Sequence, residues 1–352
     1  MNVLRSDRLL RDVPLYPLRF EPIYKNYIWG GSRFRTLFCR RIPDGFGDVA
    51  ESWEVSDLPD DTSIISNGVL CGYSLNEVLL LRSVELLGAA TVEVLGSVLR
   101  FPMLLKYLDA NSTLSIQVHP DDLLAAEMQP VYSGKSEAWV VIETEPDGVV
   151  WIGTEGEYSK EQLQRLIIEG GIESVMRRIG VKCGDCFYIP PGTLHSLGAG
   201  VMVAEIQQPS NTTFRVFDWN RVDRNGSPRQ LHKNEAIAAL RLTSPLNPIM
   251  PQKTDISICE LLVVDPNFLL YRWTLDQPIE VNVGGYCSIW TVFSGTVHIE
   301  QEPLNRGESI LFPATQKTIK CLPLNNKVIL GECTTNNQNT LTNSSMFDKN
   351  RL

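Results

Sequence analysis

The sequence predicts a mainly β protein made of two similar barrels in tandem with a few short helices. Three observations predict it. Most of the chain divides into short, β-branched segments punctuated by Gly or Pro; one strand-and-turn pattern occurs twice; and only two stretches keep apolar residues at helical intervals.

In chain order, the first helical stretch is 74–98, SLNEVLLLRSVELLGAATVEVLGSV, which opens on a Ser cap. Strand-like segments follow: LLKYLDA (104–110), LSIQVHP (114–120) and EAWVVIE (137–143). SKEQLQRLIIEGGIESVMRRIG (159–180) places Glu and Gln after a Ser, then apolar residues broken by a Gly pair, which predicts two short helices. DCFYIPPG, VMVAEIQQ, LLYRWTL, SIWTVFSGTVHIE, SILFPA and KVILGEC complete the strand series. Short strands at regular intervals favour a closed barrel or a sandwich. The duplication is specific: GDCFYIPPGTLH (184–195) and GESILFPATQKT (307–318) both set Gly and an acid ahead of an apolar strand that ends in Pro. Thr318 holds the position of His195, so the second copy lacks whatever His195 does. Prolines cluster in TSPLNPIMPQKTD (243–255), which divides the chain into 16–245 and 246–333. The polar tail 334–352, poor in branched apolar residues, is expected to be disordered.

A chain of 352 residues and 39.5 kDa has room for two or three domains with their own cores, and 43% hydrophobic with 21% charged residues is an ordinary globular composition. The net charge of -9 argues against nucleic acid or an anionic membrane as partner, because both attract concentrated Lys and Arg. An anionic small molecule would need a local basic pocket. The opening MNVLRSDRLLRDV has no apolar segment of signal-peptide type, and no run of about 18 apolar residues follows. The eight cysteines are scattered, as reduced thiols in a reducing compartment, and the cytoplasm is the expected location. Cys183 and Cys186 have the spacing of half a zinc site, but no second pair matches them, so they read as incidental.

Side chains on a strand alternate faces, so Gln117 and His119 of LSIQVHPDD emerge on the same side. Glu137 of GKSEAWVVIE and His195 of YIPPGTLHSLG lie on neighbouring candidate strands. The chain has four histidines, and two of them fall where a buried strand has no packing reason for a neutral nitrogen donor. Two imidazoles, a carboxylate and an amide oxygen form a mixed N/O donor set suited to zinc, with iron and manganese left open. His232, in the polar RQLHKN, and His298, without clustered partners, read as ordinary satisfied histidines. Lys106, Lys135 and Arg215 stand on the same strands as these ligands, where three cations would draw an anionic substrate into an acidic protein. Arg221 is a further phosphate candidate, and Glu205 is either a pocket acid or an outward-facing charge.

Taken together, KNYIWGG (25–31), AESWEVSD (50–57), LSIQVHPDD, GKSEAWVVIE, FYIPPGTLHSLG and NTTFRVFDWNR resemble the type I phosphomannose isomerases in their short bacterial form, a cupin family. The resemblance covers about residues 16–240, and the later echo matches the degenerate second cupin of that family. It implies tandem cupin (jelly-roll) barrels, with the first as catalytic domain. It also implies zinc held by Gln117, His119, Glu137 and His195, Lys135 and Arg215 in the catalytic pocket, and Lys106 near the substrate. The implied activity interconverts mannose 6-phosphate and fructose 6-phosphate through an enediolate, with a sugar phosphate as the only small-molecule partner. Lys135 is the expected general acid and base, and Arg215 is expected to stabilise the enediolate or the phosphate. The departure is at Asn211, where family members often carry an acid four residues before the arginine; a lysine or bound water then takes over that acid's part. Two rival readings are a sugar-phosphate-binding regulator without turnover, on the same barrel, and a cupin iron oxygenase using two His and one carboxylate. Gln117 as a fourth ligand argues against the oxygenase, which needs open positions.

Overall fold

Strands covered on both faces read as unbroken apolar runs rather than alternating ones, and that is how VMVAEIQQ and EAWVVIE are used. In the computed structural model, which describes residues 7–96, 100–128, 133–222, 226–242 and 245–335, the strand Val201–Gln207 is buried along its whole length, and Glu137–Thr144 over its first six residues. The chain is mainly β and groups into two compact units. One comprises 24–52 and 106–249; the other comprises the described parts of 1–23, 53–105 and 250–352.

The first unit is built on a six-stranded sheet ordered Ile23–Lys25, Glu51–Val55, Leu104–Ala110, Val201–Gln207, Glu137–Thr144 and Cys186–Ile189. The chain passes between units within the first three of these strands. A five-stranded sheet runs Phe214–Phe217, Ile116–Val118, His195–Leu197, Val149–Thr154 and Met176–Gly180. Trp139, Val141, Phe187 and Val203 of the larger sheet meet Val150, Ile152 and Leu197 of the smaller in one core. Outside the smaller sheet, the helices Lys160–Glu169 and Lys233–Ala239 bury Leu163, Ile167 and Ala236 against Ile116 and Phe214.

The second unit repeats the plan. Its larger sheet is ordered Gln252–Lys253, Cys259–Val264, Phe268–Leu275, Val328–Thr335, Ser288–Ser294 and Ser309–Phe312. Its smaller sheet is ordered Ile279–Asn282, Thr318–Pro323, Thr296–Ile299 and Glu302–Asn305, around a core that includes Trp273, Trp290 and Phe312. The registers coincide as well. Glu137 pairs with Ile189 and Gln207, as Ser288 pairs with Phe312 and Thr334; His195 pairs with Gln117, as Thr318 pairs with Asn282. The sequence echo is therefore a structural equivalence, and Thr318 does occupy the His195 position.

Two helical expectations are adjusted. The 74–98 stretch is two helices, Leu75–Leu87 and Ala89–Leu95, because Gly88 at φ 93° cannot continue the first; residues 97–99 lie outside the described chain. The 159–180 stretch holds one α-helix, which stops at Gly170 and Gly171 in positive φ, then a 3-10 turn, Ile172–Val175, and a strand, Met176–Gly180, in place of a second helix. Contacts group the 53–105 segment with the C-terminal sheets, and the chain changes unit between Ile249 and Met250, inside the proline-rich 243–255 stretch. Of the expected disordered tail, Thr334 and Thr335 belong to the last strand, and 336–352 lie outside the described residues. Both Ser-initiated helices carry the full capping box, Ser74 with Glu77 and Ser159 with Gln162. Among the described residues no helix is long and apolar enough to cross a membrane.

The glycines of KNYIWGG are required by close approach. A Cβ on Gly30 would lie 2.6 Å from the Ala50 nitrogen, and one on Gly31 would lie 2.5 Å from Asp109 Oδ2. The Asp109 carboxylate is buried and accepts from the Arg33 backbone N–H and Nη1. Gly31→Ala must push this carboxylate off its donors, so urea unfolding should show a loss of ~1–3 kcal/mol. An unchanged midpoint would mean that the loop simply yields.

Candidate active site

Rarity and placement single out the centre of the first barrel. Glu137 opens its strand at 0% exposure, and neither carboxylate oxygen has a hydrogen-bond partner. His195 Nε2 lies 3.1 Å from Glu137 Oε1, and His119 Nε2 lies 3.5 Å from Oε2. The imidazole centroids are 4.8 Å apart, and one donor atom from each of the three residues falls within 4.8 Å of the others. Both rings are oriented from behind. His119 Nδ1–H donates to the Thr212 carbonyl and His195 Nδ1–H to the Thr193 carbonyl, each at 2.9 Å, which leaves both Nε2 lone pairs facing the carboxylate. Gln117 presents its amide 3.2 Å from His195 Nε2; half a turn about its terminal bond brings Oε1 to that place.

A chain of buried charges continues from Glu137. Lys135 Nζ is 2.8 Å from Glu137 Oε2, without hydrogen-bond alignment, and 3.3 Å from His119 Nε2. Glu205 Oε1 lies between Lys135 at 3.4 Å and Lys106 at 3.1 Å, and Lys106 reaches Glu51 at 3.3 Å. Two ammonium groups thus meet three carboxylates. With neutral imidazoles the cluster carries one excess negative charge, and a divalent cation would reverse that sign. The donor set, the orphaned Glu137 oxygens and the carbonyl-held imidazoles all fit a metal ion. Burial works against the Lys106 ammonium, but Glu205, Glu51 and Glu137 outweigh it and hold this lysine above its ordinary value, as a fixed cation. Burial likewise opposes the Glu137 anion, and the Lys135 ammonium overcomes it, keeping the carboxyl well below the usual range.

Across the smaller sheet, Gln117 is flanked in register by His195 and Arg215, so the three side chains form a row on one face. Arg215 Nη1 donates to the Gln230 carbonyl, and its Nε is buried without a partner. Burial, then the nearby Arg229, lowers its affinity for the proton. The expected site residues Gln117, His119, Glu137, His195, Lys135, Lys106 and Glu205 thus converge, and Arg215 joins their row. Arg221 is engaged elsewhere: its guanidinium bonds Asp218 and the Thr113 carbonyl, and Asp218 also takes both Nε and Nη2 of Arg229. Asn211 is exposed on the loop before the Phe214–Phe217 strand. His232 accepts from the Arg215 backbone N–H through Nδ1. Cys183 is exposed and Cys186 buried, and neither is in a disulfide.

Sequence reasoning passed over three participants. Glu51 stands in the quoted AESWEVSD as an acid in a buried strand. Trp139 sits two residues beyond Glu137 on the same face. Gln207, in register with Glu137, gives both amide hydrogens to the Gln208 and Ser210 carbonyls, and its Oε1 is buried without a donor.

Comparison with known proteins identifies the family. Residues 18–139 match the family model described as phosphomannose isomerase type I, catalytic domain. The chain is 36% identical over 308 residues to a mannose-6-phosphate isomerase of Streptococcus mutans, covering 86% of this chain and 94% of that protein. The chain belongs to the type I phosphomannose isomerases. Among solved members of this phosphomannose isomerase family, the mannose 6-phosphate isomerase of Bacillus subtilis superposes with TM-score 0.80 at 32% identity, covering 90% of this chain and 99% of that one. A mannose 6-phosphate isomerase bound with zinc and yttrium shares the fold at TM-score 0.71 and 15% identity, over 91% and 99% of the two chains.

Burial, and next the Lys135 charge, push the His119 pKa down to about 3, whereas an unfolded histidine titrates near ~6.5. Between these values the unfolded chain takes up a proton that the fold refuses. Stability of the metal-free protein should therefore fall on acidification through this window, by up to ~1.4 kcal/mol per pH unit, and be flat with respect to this group above ~6.5. Urea unfolding of chelator-treated protein between pH 5 and 6.5, where carboxylates contribute little, should show the slope, and His119→Gln should reduce it, leaving the share of His232, whose pKa burial also lowers. An equal slope in the variant would assign the effect elsewhere.

Proposed function

We propose that the chain is a metal-dependent aldose-ketose isomerase that interconverts mannose 6-phosphate and fructose 6-phosphate through an enediolate, with a zinc ion held by Gln117, His119, Glu137 and His195. The observation that carries the reading is the Glu137 carboxylate, buried between two carbonyl-oriented imidazoles with both oxygens lacking donors. The relatives are named as isomerases of this substrate, and no observation favours a regulator without turnover or an iron oxygenase. A zinc ion in that donor set supplies Lewis acidity toward the oxygens of the open-chain sugar.

The remaining work falls to side chains. Isomerisation removes the proton at C2 and delivers one to C1, while negative charge builds on the two oxygens. Lys106, held as a permanent cation, attracts and steadies anionic substrate. Lys135 is the proton carrier: it stands beside the ligand set, and Glu137 and Glu205 flank its Nζ to receive the ammonium form. Arg215, in the row with Gln117 and His195 and with Nε unpartnered, offers a guanidinium edge to the enediolate or the phosphate. Arg221 is the secondary phosphate contact, and would have to release the Thr113 carbonyl or share Asp218 to make it. Cysteines outside disulfides fit a reducing compartment, and we place the enzyme in the cytoplasm.

A coupled assay of fructose 6-phosphate formation from mannose 6-phosphate, with metal content measured alongside, tests the reading. Chelation should abolish turnover and added zinc should restore it; turnover by protein shown to hold no metal would refute the metal-dependent site. Lys135→Met should retain metal and lower kcat by about 10²–10⁴-fold, the usual worth of a positioned acid or base. A variant within twofold of wild type would remove Lys135 from proton transfer.

A further inference from the structure

Glu205 is the hinge of the buried charge chain, and one of its oxygens is taken by a residue without charge. Trp139 Nε1–H donates to Glu205 Oε2 at 2.9 Å. The two residues are direct cross-strand partners between Glu137–Thr144 and Val201–Gln207, and their exposures are 0% and 2%. With Oε2 fixed, only Oε1 faces the lysines, at 3.1 Å from Lys106 and 3.4 Å from Lys135. The same indole meets the His195 imidazole edge-to-face, with centroids 5.5 Å apart at 75°. One side chain therefore touches both the counter-ion of the lysine pair and a proposed metal ligand.

We propose that Trp139 is a positioning residue for the lysine pair. Its Nε1–H sets the rotation of the Glu205 carboxylate, and the single oxygen left over sets where Lys106 and Lys135 stand. Without that donor a buried carboxylate has an unsatisfied oxygen, which costs more than the hydrogen bond contributed. The carboxylate then gains by turning both oxygens to the two ammonium groups, and Lys135 is drawn from its 2.8 Å approach to Glu137. A phenylalanine at 139 would keep the ring against His195 and lose only the donor.

The second barrel holds the equivalent carboxylate with an indole from the strand on its other side, while Trp290, the counterpart of Trp139, donates to Ser288 Oγ. There Glu332, fully buried and cross-strand partner of Trp290, stands where Glu205 stands, and Trp273 Nε1–H donates to its Oε2 at 2.8 Å. The Tyr286 hydroxyl lies 3.5 Å from its other oxygen, Oε1. An indole-held carboxylate thus recurs at this barrel position, and in the first barrel its other oxygen faces two lysines.

The proposal rests on the isomerase reading, so wild-type turnover of mannose 6-phosphate comes first; an inactive, metal-loaded wild type overturns both. With an active wild type, Trp139→Phe should keep its metal stoichiometry, hold KM within about threefold and lower kcat by ~10–100-fold, the usual scale for an orienting partner. Glu205→Gln should lower kcat comparably, and the Trp139→Phe, Glu205→Gln double variant should be no slower than the slower single. A purely packing role predicts independent, multiplying losses instead. Retention of kcat within twofold in Trp139→Phe, multiplying losses in the double variant, or loss of metal from Trp139→Phe would each overturn the positioning role. If Trp139→Phe does not fold, Glu205→Gln decides: full kcat there overturns the proposal, because Trp139 is proposed to act through Glu205.

Discussion

An ionised carboxylate with no aligned hydrogen bond on either oxygen is among the least tolerable groups a protein core can hold, and among the described residues Glu137 is one. Desolvation costs several kcal/mol per ion even after relaxation, and only close positive charge in good geometry offsets it. The first barrel supplies that charge incompletely: Lys135 stands near one oxygen, and the imidazoles offer lone pairs rather than protons. A cation at the convergence of these lone pairs would complete the site. The same constraint explains the rest of the chain of charges, since Lys135 needs Glu205, Lys106 needs Glu205 and Glu51, and each member is buried at the expense of the next.

Positions came from sheet geometry more than from loops. Glu137, Trp139, Glu205 and Gln207 occupy one face of two adjacent strands by the two-residue period, while His195, Gln117 and Arg215 line up across three strands of the other sheet. Side chains so placed need little local machinery. Thr212 and Thr193 carbonyls suffice to aim the histidines, and residues set on strands hold their geometry better than residues on loops.

Much of this was legible before any coordinates. Gln117 and His119 could be paired by spacing, and His195 and Glu137 stood out as polar groups in apolar strands. The duplication could be read from twelve residues, down to Thr318 in the place of His195. What stayed hidden depends on partners distant in sequence. Whether Glu205 pointed in or out was undecidable until Trp139 and Lys106 were seen on it, because period-two reasoning gives a face but not which face is inside. Trp139 could not be singled out, since nothing local distinguishes an indole that packs from one that also donates. Arg221 read as a phosphate group's partner, yet Asp218, three residues earlier, was available in the sequence as its counter-ion. The second helix expected after Gly171 failed because the Gly pair ends the helix outright, and the residues beyond it were needed as a strand.

The two barrels show what the chemistry demands beyond the fold. They share strand order and register, and both keep a carboxylate held by an indole, yet the second puts Ser288, Asn282 and Thr318 where the first has Glu137, Gln117 and His195. In the second, Trp273 and Trp290 stack at 5.4 Å within an apolar core. Filling a barrel with aromatic surface stabilises it at roughly 25 cal/mol per Å² buried, whereas filling it with paired charges contributes little or nothing to stability. A chain that gathers Glu51, Lys106, Lys135, Glu137 and Glu205 into one buried cluster therefore gains from a second copy whose buried charges, among the described residues of 250–335, are Asp265 and Glu332, and loss of the metal-type residues from that copy is the change that stability alone would favour.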